Sequence, residues 1–286
     1  MKVAVVQLCS KLDPAHNLKT LGKYLAEIQA AGTRYVFLPE CFYSLSNGQE
    51  ATPYPVSKDN QHFKEIVSLA QRYSVYLLGG SVAYQSPHFK KLLNRSFQIS
   101  PEGAVLGVYD KRNLFSVDLS RHSSKKQIDE GTLYERGQDL CLLELDEMKL
   151  GVQICFDLRF PEIARLYSGL GANVLSYSSA FTVPTGRAHW HALLRARAIE
   201  NQCFVVASAQ WGQNNEIIET FGHSLVVDPW GEIIAELETG EGHFAVELDF
   251  ERLQEVRSRL PVLLPQNFSR EWEKFLKLKH QARDFD

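Results

Sequence analysis

Short apolar runs, rich in Val, Ile and aromatic residues, alternate along the chain with stretches whose apolar positions recur every three or four residues. Residues 3–8 read as a buried strand. Leu18, Leu21, Leu25 and Ile28 then follow at helical spacing, and Gly32 is placed to stop that helix. Residues 35–38 predict a strand, and Phe63, Ile66, Val67 and Ala70 a second helix. Further strands are predicted at 75–78, 96–99 and 105–109. After an irregular polar stretch at 116–137, the pattern resumes. It gives a strand at 149–154, a helix at 161–168, a strand at 174–177, a helix at 188–200 and a strand at 203–207. Runs at 224–227 and 232–236 flank a turn at Asp228-Pro229-Trp230-Gly231. Such alternation predicts an α/β domain.

The two halves resemble each other in order. Lys2-Val3-Ala4-Val5 matches Lys149-Leu150-Gly151-Val152, and Gly32-Thr33-Arg34-Tyr35-Val36 matches Gly171-Ala172-Asn173-Val174-Leu175. Ser96 to Gly103 matches Ser224 to Gly231, with a Pro-x-Gly hairpin turn in each copy. Three matches in the same order predict a duplicated β-α-β-α-β-β unit. Two such units, sheet against sheet with helices outside, form a four-layer α-β-β-α sandwich. One domain, residues 1–262, then accounts for most of the 286 residues. Residues 263–286 are polar with spaced aromatics, including Phe268 and Trp272. They read as an arm that packs on the domain or on a partner subunit.

Charge narrows the choice of partners. Lys and Arg total 31 against 34 Asp and Glu, a net charge of −3, so no basic excess exists to bind a nucleic-acid backbone. No apolar run reaches the ~20 residues of a membrane span. The N-terminus reads as a first strand rather than a signal peptide. Cys9, Cys41, Cys141, Cys155 and Cys203 are odd in number and widely spaced, with no CxxC. That excludes a disulfide framework and a zinc ribbon, and predicts a cytoplasmic protein with reduced thiols.

In α/β sheets, functional groups collect beyond the carboxyl ends of strands. Three predicted strands end in a reactive residue: Glu40, Lys111 and Cys155. Each alone has an ordinary explanation as a cap, a surface lysine or a packed thiol. Three in one topological position point to a site. No phosphate loop, dinucleotide fingerprint or serine-hydrolase elbow occurs. His189 and His191, two apart on a predicted helix, cannot share a metal. A Cys–His dyad using His122 or His223 has no local pattern behind it.

Leu38-Pro39-Glu40, Tyr109-Asp110-Lys111 and Gln153-Ile154-Cys155-Phe156-Asp157-Leu158-Arg159-Phe160-Pro161-Glu162 resemble, in order, the three catalytic motifs of the nitrilase superfamily of carbon–nitrogen hydrolases. Ser179-Ala180-Phe181-Thr182, Ala188-His189-Trp190, Leu194 to Glu200 and Gly222-His223-Ser224 look like its Nit-type amidase branch. Within the branch the pattern is most like deaminated glutathione amidases. ω-Amidases and aliphatic or N-carbamoyl amidases are the alternatives, and an inactive scaffold a distant one.

The resemblance implies Cys155 as nucleophile, Glu40 as general base and Lys111 as catalytic lysine, with Glu130 as a second glutamate and Glu135 as its alternative. Lys111 and the Phe156 amide would form the oxyanion hole. Tyr43, Arg159, Phe181 and Thr182 would surround the substrate, with Arg159 the less certain because a structural bridge to Glu162 is the favoured reading. An exposed glutamate, with pKa ~4.3, would be a poor base for a thiol, so the site must bury it or set a carboxylate beside it. The resemblance calls for no metal or organic cofactor, and implies a homodimer or larger homo-oligomer. Two positions depart from the branch pattern: Asn113 where a histidine is usual, and His191 where a glutamate is usual.

Overall fold

The computed structural model describes residues 1–118 and 127–262. His122 and the expected arm at 263–286 lie outside the described residues. The first half contains β1 (Lys2–Gln7), α1 (Pro14–Ala30), β2 (Tyr35–Phe37), α2 (Gln61–Tyr73), β3 (Tyr76–Leu78), β4 (Ser81–Tyr84), β5 (Leu92–Ile99) and β6 (Val105–Asp110). A connecting region follows, with β7 (Ser116–Asp118), β8 (Gln127–Asp129) and β9 (Tyr134–Glu135). The second half contains β10 (Leu142–Leu145), β11 (Met148–Ile154), α3 (Pro161–Gly169), β12 (Val174–Ser179), α4 (Val183–Asn201) and β13 (Phe204–Ala209). It continues through β14 (Trp211–Gln213), β15 (Glu219–Phe221), β16 (Ser224–Val227), β17 (Ile233–Leu237), β18 (Gly242–Glu247) and α5 (Phe250–Arg259).

The first sheet runs β18-β1-β2-β3-β5, with β4, β6 and β9 also paired to β5. The second runs β10-β11-β12-β13-β16-β17. In each, three parallel strands carry an antiparallel partner on either side. The duplication read from sequence is therefore present strand for strand. Even the hairpins agree: Gly103 donates to Ser100 O at 2.9 Å and Gly231 to Asp228 O at 3.0 Å. Both glycines have positive φ, as the tight turns require, and both hairpins contain a register shift.

Alternation along β1 sets the layers. Ala4 and Val6 pack with Leu21, Leu25 and Ile28 of α1 and with Ile66 and Leu69 of α2. Val3 and Val5 face the other way, into a cluster with Val152, Val206 and Leu225 of the second sheet. Tyr167 of α3 and Trp190 and Leu194 of α4 close that cluster from outside. The order is helix, sheet, sheet, helix.

Helix α5 and the strands β4, β7, β8, β9, β10, β14, β15 and β18 escaped the sequence pattern. β4 is a short buried strand that reads as loop, and β18 is a half-exposed edge paired to β1. Helix α4 starts five residues earlier than its apolar spacing predicts, because Pro184 stabilises its first turn. No helix among the described residues is long and apolar enough to cross a membrane.

Candidate active site

Glu40 lies just beyond β2, Lys111 directly after β6 and Cys155 directly after β11. The two sheets bring these ends to one cavity. Lys111 is held from both sides. Its amide donates to Asn94 O at 2.9 Å, and its carbonyl accepts from Gly137 N at 2.9 Å. Arg95 grips Asp110, one residue earlier, through two bonds of 2.7 and 2.8 Å. The ammonium then reaches Glu40 Oε1 at 2.8 Å and Glu130 Oε1 at 2.9 Å.

Glu130 rather than Glu135 is the second carboxylate here. It closes a loop by accepting from the Phe115 amide at 2.7 Å. Glu40, 3% exposed, also accepts from Asn94 Nδ2 at 2.8 Å, and its carbonyl accepts from Gln210 Nε2 at 2.8 Å. Lys111 is 1% exposed. Burial works against its charge, but the two carboxylates more than offset that and hold its pKa well above the ordinary value. Burial raises the Glu130 carboxyl, against the pull of Lys111.

Cys155 opens a 3-10 segment, Cys155–Arg159, with φ of 48°. A non-glycine residue in that region costs of order 1–3 kcal/mol and persists only where surroundings impose it. Asp157 supplies the constraint. Its fully buried carboxylate accepts from Ile154 N, Asn113 N, Asn113 Nδ2 and Tyr109 Oη at 2.7–3.1 Å. Asn113, the departure from the branch pattern, thus helps fix the nucleophile's turn. Burial pushes the Cys155 thiol well above its usual range; the Glu40 charge adds to this and Lys111 only partly opposes it. The resting thiol is protonated at neutral pH, so attack requires a base beside it.

The remaining wall is apolar: Leu45, Phe115, Phe156, Ala180, Phe181 and Ile218, with Thr182 and Thr185 at the start of α4. Phe181, Thr182 and Arg159 line this cavity. Arg159 makes no bridge to Glu162. Its guanidinium lies 5.2 Å from the Phe181 ring centre and 5.5 Å from that of Phe156, with His189 Nδ1 at 3.3 Å. Of the two cations lining the cavity, Lys111 is engaged by carboxylates, whereas Arg159 meets none among the described residues.

One further expectation is corrected. Tyr43 is not in the cavity. It is 1% exposed, and its hydroxyl bonds Glu65 Oε2 and His62 Nδ1 at 2.6 Å, tying its loop to α2. Cys41, next to Glu40, also lines the cavity, its thiol raised by burial and the Glu40 charge. Sequence reasoning missed Asn94. The available signal was a polar residue inside an apolar strand, which normally needs a buried partner.

Residues 2–258 match the carbon–nitrogen hydrolase family, and the chain belongs to it. It is an amidase of the nitrilase superfamily. The chain is 32% identical over 261 residues to the ω-amidase NIT2 of Xenopus tropicalis, covering 91% of this chain and 93% of that one. It is 35% identical over 267 residues to a deaminated glutathione amidase of Bos taurus, covering 91% and 80%. Among solved structures, Saccharomyces cerevisiae Nit3, a member of branch 10 of the nitrilase superfamily, superposes with a TM-score of 0.82 at 30% identity, covering 94% and 97%.

Proposed function

We propose that this amidase hydrolyses the terminal amide of a 2-oxoglutaramate-type group through a thioester on Cys155 and releases ammonia, with deaminated glutathione as its substrate. Glu40 takes the thiol proton as sulfur attacks the amide carbonyl carbon. Charge moves to the carbonyl oxygen, where the Lys111 ammonium and the Phe156 amide stabilise it. Removing one such donor costs roughly 10²–10³-fold in rate. The C–N bond then breaks, Glu40 returns its proton to nitrogen, and ammonia leaves. Water enters, gives a proton to Glu40 and attacks the thioester. The carboxylic acid departs as the proton returns to sulfur, so one residue serves as base and then acid in both halves.

Glu130 orients Lys111 and keeps a second negative charge near Glu40. The observation that carries the substrate reading is Arg159, the cavity's uncommitted cation, set at an apolar wall beside the nucleophile. It suits the carboxylate of a 2-oxo acid amide. The similarity to the deaminated glutathione amidase of Bos taurus supports the larger, peptide-like substrate.

The experiment compares kcat/KM for deaminated glutathione, 2-oxoglutaramate and an aliphatic amide by ammonia release. The tripeptide analogue is expected to be fastest, and Arg159→Met to raise KM for both oxo acids but not for the aliphatic amide. Faster turnover of 2-oxoglutaramate would make the enzyme an ω-amidase, the reading that the similarity to NIT2 also supports. Preference for the aliphatic amide would overturn the substrate class.

A further inference from the structure

Outside the catalytic cavity, His191, His223 and Glu236 bring one ligand atom each to a single point. The three atoms lie within 4.8 Å of one another. They come from three different elements: His191 from α4, His223 from the corner between β15 and β16, and Glu236 from β17. Glu236 Oε1 is 2.8 Å from His191 Nε2 and 2.6 Å from His223 Nδ1. His189 points elsewhere, toward Arg159, so it takes no part.

We propose that His191, His223 and Glu236 form a binding site for a borderline-soft divalent cation of the zinc type. Two imidazoles and a carboxylate are the donor set such ions take, whereas magnesium and calcium prefer oxygen alone. Ligands at ~2.1 Å in tetrahedral array stand about 3.4 Å apart, so the two spacings to Glu236 need to open by less than ~1 Å. The side chains keep 35%, 21% and 21% of their exposure. Water can therefore complete the coordination.

The site is built rather than incidental. The His223 ring stacks on Phe221, with centres 4.1 Å apart and planes 21° from parallel. The His223 carbonyl accepts from Trp190 Nε1 at 2.8 Å, one residue before His191. His223 itself is held at φ of 59°. His191 replaces the glutamate usual in the branch, so this donor set belongs to this chain's own sequence.

A bound ion would clamp α4 to the β15–β17 region. Phe221 connects that clamp to the catalytic cavity. Its amide donates to Phe181 O at 2.9 Å, and Phe181 lines the cavity.

The ordinary alternative is a carboxylate accepting two histidine N–H bonds with no affinity for metal. Calorimetric titration with Zn²⁺ separates the two. Cys155→Ala is the parent, so that the nucleophilic thiol cannot take the ion. We expect one site per chain of micromolar affinity and no saturable binding of Mg²⁺. We also expect a Zn²⁺-dependent rise in melting temperature, as a ligand of the folded state gives. Adding His191→Gln or Glu236→Gln should weaken binding at least about tenfold and abolish that rise. His191 is on the helix surface, so its variant serves if the other misfolds. No saturable Zn²⁺ binding, or equal binding by folded variants, would overturn the proposal.

Discussion

At the residue scale, the site depends on a conflict of charges resolved by geometry. One lysine faces two carboxylates, and the thiol beside them is raised, not lowered. The thiolate is therefore not stored. Cys155 is predicted to lack the 240 nm thiolate absorbance at pH 7 and to show none up to pH 9, measured as wild type minus Cys155→Ala. A difference that reached its plateau below pH 8 would mean that Lys111 outweighs burial. Glu130 has a raised pKa, so protonating it as pH falls weakens its hold on Lys111 earlier than an ordinary glutamate would. Activity should decline on the acid side at a pH above the usual carboxylate range, and Glu130→Gln should lower kcat at every pH without abolishing turnover. Glu40, Lys111 and Cys155 were legible in the sequence because each terminates an apolar run. Asn94 and Cys41 were not, since only the strand order of the first sheet sets Asn94 of β5 against Glu40, and only the folded chain shows that Cys41 lines the cavity. Tyr43 failed for the opposite reason: nearness in sequence to Glu40 did not fix the direction of its ring.

At the element scale, two glycines test how tightly strand ends and helices position the site. A Cβ on Gly137 would stand 2.0 Å from the Asp110 carbonyl oxygen, one residue before Lys111. Gly137→Ala must push back the end of β6, so it is expected to lose more activity than stability. Kinetics and thermal melts of the same sample check this. A Cβ on Gly186 would stand 2.3 Å from Phe221. That is overpacking between α4 and β15, which costs typically ~1–3 kcal/mol and should lower the melting temperature by several degrees. Asp157→Ala should destabilise by roughly 2–4 kcal/mol, because it orphans buried donors at Ile154, Asn113 and Tyr109. The paired hairpins and parallel triplets were readable in advance because their turn residues and β-branched runs repeat. β4 and β18 were not, because a four-residue strand and a half-exposed edge leave no periodic signal.

At the scale of the whole molecule, the outer helical layers differ. Leu170 and Ile199, at the ends of α3 and α4, are 51% and 46% exposed, and Trp230, whose neighbour Gly231 approaches Ile199, is 52% exposed. Exposed apolar groups of this size collected on one face mark an association surface. We propose that a homodimer forms through the α3–α4 layer. Ile199→Asp should then give a monomer in light scattering with an unchanged circular dichroism spectrum; an unchanged mass would reject that face. The candidate site lies at strand ends, and of α3 and α4 only the first turn of α4 reaches its cavity. The central chemical step can thus be tested without regard to assembly. Glu40→Gln leaves the thiol and the oxyanion donors but removes the group that activates water. After mixing with the amide substrate, intact-mass and peptide mass spectrometry should find the acyl group, minus ammonia, on Cys155 alone. An adduct on Cys41, or ammonia release that persists in Cys155→Ala, would contradict the assignment of the nucleophile.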